Sequence, residues 1–261
     1  MPTSFFQVYK VKPSENVISI ENALVYEDNN CKVYYNFWEE GGNVGFRFYN
    51  KTENHIYLNL EESFFILNGI AYDYYKNRVF TKTKTSGTSV SNSASLSKSV
   101  TGINYYDLIQ TNKLEISSNA GAASSFGFSV SYNEEKIICI PAHTSKIITE
   151  YKVNESLYRD CELFRFPTKK QIKTKTFSKS NSPIVFSNKI AYYLGNSDTL
   201  NEFKNEFYIS EISNHPETEI IEEKYDEYCG EKSMTLVKYF KNDSPDMFYI
   251  KYTKGQDLLK H

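Results

Sequence analysis

From Thr81 to Thr101 every odd-numbered position is Ser or Thr, apart from Gly87. The even positions of this stretch mix Lys82, Lys84, Asn92 and Lys98 with Val90, Ala94, Leu96 and Val100. A turn-like connector runs from Gly102 to Lys113, and the alternation then resumes. Leu114, Ile116, Ser118, Ala120, Ala122, Ser124, Phe126, Phe128, Val130 and Tyr132 hold even positions there, while Glu115, Ser117, Asn119, Gly121, Ala123, Ser125, Gly127, Ser129 and Ser131 hold odd ones. A period of two is the mark of a strand, whose successive side chains point to opposite faces. Each arm thus carries one hydroxylated face and one more apolar face. Two such arms around a connector predict a very long β-hairpin over residues 81–132.

The remainder of the chain reads as short strands separated by turn residues. Phe6 to Val11, Val17 to Tyr26 and Cys31 to Trp38 are the first three, with Val33, Tyr35 and Phe37 on one face. Glu39 to Asn43 contains Gly41 and Gly42, which supply the positive φ that tight reversals need. Val44, Phe46 and Phe48 then alternate with Gly45, Arg47 and Tyr49, and Ile56, Leu58 and Leu60 with His55, Tyr57 and Asn59. Phe64 to Leu67 is a continuous apolar run, as expected of a strand buried on both faces. Asn68 and Gly69 turn the chain into a tyrosine-rich stretch from Ile70 to Phe80. Beyond the insert, Lys136 to His143, Ile147 to Val153, Pro183 to Leu194, Glu206 to Ile212 and Met247 to Tyr252 read as further strands, with Pro141 at a strand end. Two helices are expected. One spans Asn154 to Arg165, capped by Asn154, with Leu157, Cys161 and Phe164 on one face. The other spans Glu219 to Cys229 and stops at Gly230.

Strands at this spacing predict an all-β protein, a β-sandwich scaffold built from residues 1–80 and 133–261 with small peripheral helices. The C-terminal part from about residue 170 reads as an elaboration of that scaffold. With 22 Tyr and 18 Phe against 3 Met, its core should be aromatic. The stretch Val44 to Gly69, resumed by Ile137 to Val153, resembles the small immunoglobulin-like modules of many bacterial and phage proteins. The likeness rests on Phe48, Tyr49, Asn50, Lys51 and Thr52 leading into Ile56, Tyr57 and Leu58, and on Ile138, Cys139, Ile140 and Pro141. It implies an immunoglobulin-like sandwich and carries no catalytic residue. The insert resembles the prestem hairpins of aerolysin-like β-pore-forming proteins, in which a sandwich core releases a Ser/Thr-rich hairpin. That resemblance implies membrane insertion. Lys82, Lys84, Asn92 and Lys98 depart from it, because each charge on a lipid face costs about 2–4 kcal/mol near the midplane.

Catalytic signatures are lacking. There is no P-loop, GxGxxG, GxSxG or HExxH. His55, His143, His215 and His261 lie in unrelated segments, and Ile140, Pro141 and Ala142 between Cys139 and His143 argue against a helical ligand pair, so no metal and no cofactor is expected. Cys31, Cys139, Cys161 and Cys229 form no CxxC pair and are expected to be buried, reduced thiols. Asn50, Asn154 and Asn242 begin glycosylation sequons, short motifs that recur by chance. No segment reaches 18 continuous apolar residues and the N-terminus lacks a basic, apolar leader, so the expected location is cytoplasmic. A net charge of −2 gives no global case for nucleic acid. Lys169, Lys170, Lys173 and Lys175 form a local basic patch that could track phosphates or guard a solvated strand edge. The acidic stretch Glu217 to Glu231 could face it. The expected function is a non-enzymatic interaction or assembly protein, a structural or accessory component of a larger particle. The inserted hairpin is its contact element, through Tyr105, Tyr106, Leu108 and Ile109 in the connector and Phe126 and Phe128 in the second arm. A protein partner or a second copy is expected, a membrane is the alternative, and no small-molecule substrate is implied.

Overall fold

Alternating apolar and polar side chains, cut by Asn, Asp and Gly, fold most of the described residues into antiparallel strands. The computed structural model describes residues 4–20, 22–86, 99–100, 112–113 and 126–255. Before the insert come β1 (Ser4–Pro13), β2 (Val17–Ile20), β3 (Ala23–Glu27), β4 (Cys31–Tyr35), β5 (Phe46–Asn50), β6 (Ile56–Leu67) and β7 (Ile70–Asp73). The insert region contributes β8 (Val79–Ser86), β9 (Ser99–Val100), β10 (Asn112–Lys113) and β11 (Phe126–Asn133). After it come β12 (Ile137–Ile140), β13 (Ser145–Ile148), β14 (Thr174–Thr176), β15 (Val185–Leu194) and β16 (Leu200–Pro216). A single helical turn, α1 (Glu217–Ile220), then leads to β17 (Ile221–Tyr228), β18 (Glu231–Phe240) and β19 (Met247–Thr253).

Two sheets enclose the core. The larger runs β12-β6-β15-β16-β1-β19, with β7 added to β6 and β14 to β16, and the smaller runs β13-β5-β4-β3-β2. Rings meet between them: Phe37 and Phe186 lie 5.3 Å apart, Tyr35 and Phe207 5.1 Å, and Phe48 and Tyr192 5.7 Å. Val44, Phe46 and Phe48 are fully buried, as are Ile56 and Leu58, and Leu60 is buried too, which is the face the alternation predicted. Arg47 points the other way and lies over the Tyr34 ring at 4.0 Å. Gly42, at φ +76°, allows the chain to pass the core: a Cβ there would sit 2.9 Å from both Phe248 and Val153.

The chain crosses between the sheets from β1 to β2, β5 to β6, β12 to β13 and β13 to β14, and the second and third of these crossings meet at one corner. Asn50 stands at this corner with no exposure. Its Nδ2 donates to the carbonyls of Asn54 at 2.7 Å, Ile140 at 3.0 Å and Pro141 at 3.2 Å. Its Oδ1 accepts from the backbone N–H and the hydroxyl of Thr52, each at 2.9 Å. The Asn50-Lys51-Thr52 sequon is therefore a structural clamp that ties the β5–β6 and β12–β13 connections together.

Several expectations are corrected. Val17 to Tyr26 is two strands, because Ile20 pairs with Ala23 in a hairpin. Phe64 to Leu67 is not buried on both faces: Phe65 is buried, whereas its neighbours, paired beside the short β7, are only half-buried. The helix expected from Asn154 to Arg165 is absent, and side chains of the larger sheet explain why. Gln7 Nε2 donates to Tyr158 O at 2.9 Å, Gln7 Oε1 accepts from Tyr158 N at 2.7 Å, and Asn214 Nδ2 donates to Phe164 O at 2.9 Å. Tyr252 donates its hydroxyl proton to Arg165 O. With these backbone groups satisfied by the sheet, the segment needs no internal ladder. Asn154 does accept from a backbone N–H two residues on, that of Ser156 at 3.0 Å, but it starts a turn rather than a helix. The second expected helix shrinks to α1, and Ile221 to Tyr228 instead pairs with β18.

The cysteines also differ from expectation. All four are free thiols, but only Cys31 is buried, while Cys139, Cys161 and Cys229 are exposed. Burial, then the neighbouring Asp28 carboxylate, pushes the Cys31 thiol far above its ordinary range. Alkylation of the native protein should therefore modify three thiols, and the fourth only after unfolding, with intact mass as the readout. Ready native modification of Cys31 would refute its place in the core.

Candidate interaction site at the root of the inserted hairpin

β8 and β11 form a separate two-stranded ladder from Val79–Asn133 at the root to Ser86–Phe126. β9 and β10 pair Ser99 with Lys113 and Val100 with Asn112. The two ladders are in phase, since partner numbers add to the same total in both. This register sets odd positions opposite odd ones, Thr81 against Ser131 and Thr83 against Ser129, and even opposite even. The hydroxylated positions of the two arms are thus cross-strand partners, a pairing no single arm could reveal. Phe126 and Phe128 lie in β11 opposite Ser86 and Lys84. Tyr105, Tyr106, Leu108 and Ile109 lie outside the described residues.

A collar of charges holds the root. Glu134, whose side chain is 7% exposed, accepts from the backbone N–H of Lys76 at 2.8 Å and of Arg78 at 3.1 Å, and from the Arg78 guanidinium. Arg78 and Lys76 both reach Glu150, at 2.7 and 2.8 Å. Lys76 also lies 4.4 Å from the Tyr151 ring, which stacks on Phe65 at 5.3 Å. The collar thus links the hairpin to the body of the larger sheet. Just outside it, Phe80 and Tyr132 stack across the ladder at 5.4 Å and remain largely exposed, as does Val79.

Burial alone would raise the Glu134 carboxyl, but its hydrogen bonds from Arg78 and from the Lys76 and Arg78 amides outweigh it and hold the group below its usual range. A depressed carboxylate stabilises the folded form above its unfolded pKa of about 4.3 and loses that contribution as pH falls through the folded value. Protection factors of the Lys76 and Arg78 amides, taken relative to the intrinsic exchange rate at each pH, should accordingly fall in acid, and Glu134→Gln should bring the same loosening at neutral pH. Unchanged protection in Glu134→Gln would show that the collar does not fix the root. Sequence reading missed this group. The available signal was Lys76 and Arg78 before the insert facing Glu134 and Glu135 after it, opposite charges at the two ends of one hairpin.

Half of the basic patch is neutralised where it stands. Lys169, on a 3₁₀ turn (Lys169–Gln171), pairs with Glu219 at 3.2 Å, so the basic and acidic stretches do meet there. Lys175, in β14, is held by Asp160, and Lys173 lies 5.7 Å from the Phe164 ring. Lys170 is exposed on the same turn. Among the described residues no group of His, Cys, Asp and Glu could hold a metal ion, and no helix is long and apolar enough to cross a membrane. Comparison with protein-family models, with curated proteins and with solved structures finds no match to this chain.

Proposed function

We propose that this is a non-enzymatic interaction or assembly protein, with an immunoglobulin-like sandwich as scaffold and the inserted hairpin as its contact element. One observation carries the reading: the β8–β11 ladder has no third strand among the described residues, yet an ion-pair collar fixes its root to the body. A two-stranded ribbon is marginal alone in water. A ribbon so anchored is positioned to meet another surface, a protein partner or a second copy. Membrane insertion is a second reading, favoured by the register that pairs the hydroxylated positions of the arms. Lys82 and Lys84, opposite Val130 and Phe128, weigh against it.

Replacing residues 86–125 with a short Gly/Ser linker tests both readings. Loop closure depends weakly on length, so the body should stay folded with its thermal midpoint moved by only a few degrees. Self-association in sedimentation, or partner capture relative to the intact protein, should be lost. Dye release from liposomes by the intact protein alone would establish the membrane reading instead. Unfolding of the replaced protein would place the hairpin in the core and end the division into scaffold and arm.

A further inference from the structure

We infer that the outer edge of β17 is a second docking site, which takes up an extended, basic strand from a partner protein. The site is independent of the insert. β17 and β18 form their own two-stranded sheet, and among the described residues no strand pairs with either outer edge. The root is fixed firmly. Phe240 packs against Trp38 at 5.0 Å, Tyr249 at 4.8 Å and Phe6 at 6.1 Å, and Lys238 pairs with Glu217 at 2.9 Å. Beyond the root the ribbon stands in solvent with large apolar side chains uncovered. Tyr225 and Leu236, cross-strand partners, are 55% and 51% exposed, and Tyr228 near the turn is 83% exposed. Such groups on a ribbon that cannot bury them itself mark a binding surface.

Charge decides what covers it. β17 itself carries four carboxylates, Glu222, Glu223, Asp226 and Glu227, against one lysine, Lys224, and that lysine is held by Glu222 of its own strand. Glu227 makes no ion pair among the described residues, although Lys232 stands opposite it in β18, and Glu223 has only Lys238, at 3.8 Å. Free edges are commonly guarded by lysine; this one is acidic. A second copy paired along β17 would set these carboxylates against their own kind, which destabilises directly opposed strands. A lysine-bearing strand would instead meet complementary charge, complete the edge with main-chain hydrogen bonds, and lay the aliphatic stems of its lysines over Tyr225, which shares a face of β17 with Glu223 and Glu227.

The probe is a fluorescein-labelled eight-residue Lys-Val repeat, read by anisotropy on the full chain. It should bind, and binding should weaken as salt rises. The Glu-Val repeat should not bind, nor should the Lys-Val repeat with alternate amides N-methylated. Glu223→Lys with Glu227→Lys, both exposed and outside the core, should weaken binding at least tenfold with an unchanged circular dichroism spectrum. Equal binding of the N-methylated peptide would reduce the site to unspecific charge attraction. Binding retained within twofold by the double variant, or no binding of the Lys-Val repeat at all, would overturn the proposal. Dimerisation of the protein that the same variant abolishes would do so too, by naming a second copy as the occupant.

Discussion

Truncating Phe46 to alanine should cost about 3–5 kcal/mol, the range for deleting a buried phenylalanine ring. Phe46 has no exposure, and its ring lies 6.1 Å from Tyr35 and 5.8 Å from Tyr74. Tyr35 is its cross-strand partner in β4 and Ile148 its partner in β13, so the ring is enclosed within its own sheet as well as from above. A cavity there cannot collapse without moving both neighbouring strands. For a chain of this size the loss corresponds to a thermal midpoint lower by roughly 10 °C. Arg47→Ala, one residue on, removes no ring from the core and acts on the opposite face, where Arg47 lies over Tyr34, and should cost less than about 1 kcal/mol. Urea denaturation of the two variants measures the difference. Equal losses would mean that the β5 register is wrong by one residue, because such a slip exchanges the two faces.

That contrast was legible in the sequence because strand alternation is a local signal. Phe46, Phe48, Ile56 and Leu58 declare their face within a few residues of themselves. Asn68-Gly69 declares its hairpin in the same way, with φ of +48° and +84°. What failed depended on distant partners. Leu157, Cys161 and Phe164 have helical spacing, but Gln7 and Asn214, some 50 to 150 residues away, take the backbone groups that a helix would use. Ile221, Tyr225 and Tyr228 also have helical spacing, yet Phe240 and Leu236 offered them cross-strand neighbours that a short window does not contain. The turn between those strands is Cys229-Gly230, at φ +52° and +85°. Gly230 reads equally well as a helix stop or as the second residue of a type I′ turn, and tertiary pairing settled it.

The candidate site was legible to a lesser degree. Periodicity marked the two arms of the insert but not their register, which is a relation between arms. The collar is of the same kind, since Glu134 and Arg78 are 56 residues apart and acquire meaning only when the ladder brings them together. The exposed β17–β18 ribbon was hidden by the helix assignment, which would have placed Tyr225 against the body.

Replacing Asn50 with alanine should cost about 2–4 kcal/mol although it removes no apolar contact, because buried polar groups left without partners each cost about 1–3 kcal/mol. The side chain serves three carbonyls, those of Asn54, Ile140 and Pro141, and two groups of Thr52. Some relief is available, since Asn50 N donates to Thr144 O at 2.9 Å through the backbone and survives the substitution. Pro141 O also keeps the N–H and the hydroxyl of Thr144, at 3.2 and 2.8 Å, so the loss falls on the carbonyl of the buried Ile140 and on the Thr52 donors. Asn50→Asp should be no better: it keeps the acceptor for Thr52 but brings a carboxylate against three carbonyl oxygens. The loss should therefore be as large at neutral pH and ease as the new carboxyl is protonated in acid. Chemical denaturation of both variants across pH provides the check. A cost below about 1 kcal/mol for alanine would show that the sheet-switching corner is held by packing alone, and that the Asn-x-Thr unit there is incidental to the fold.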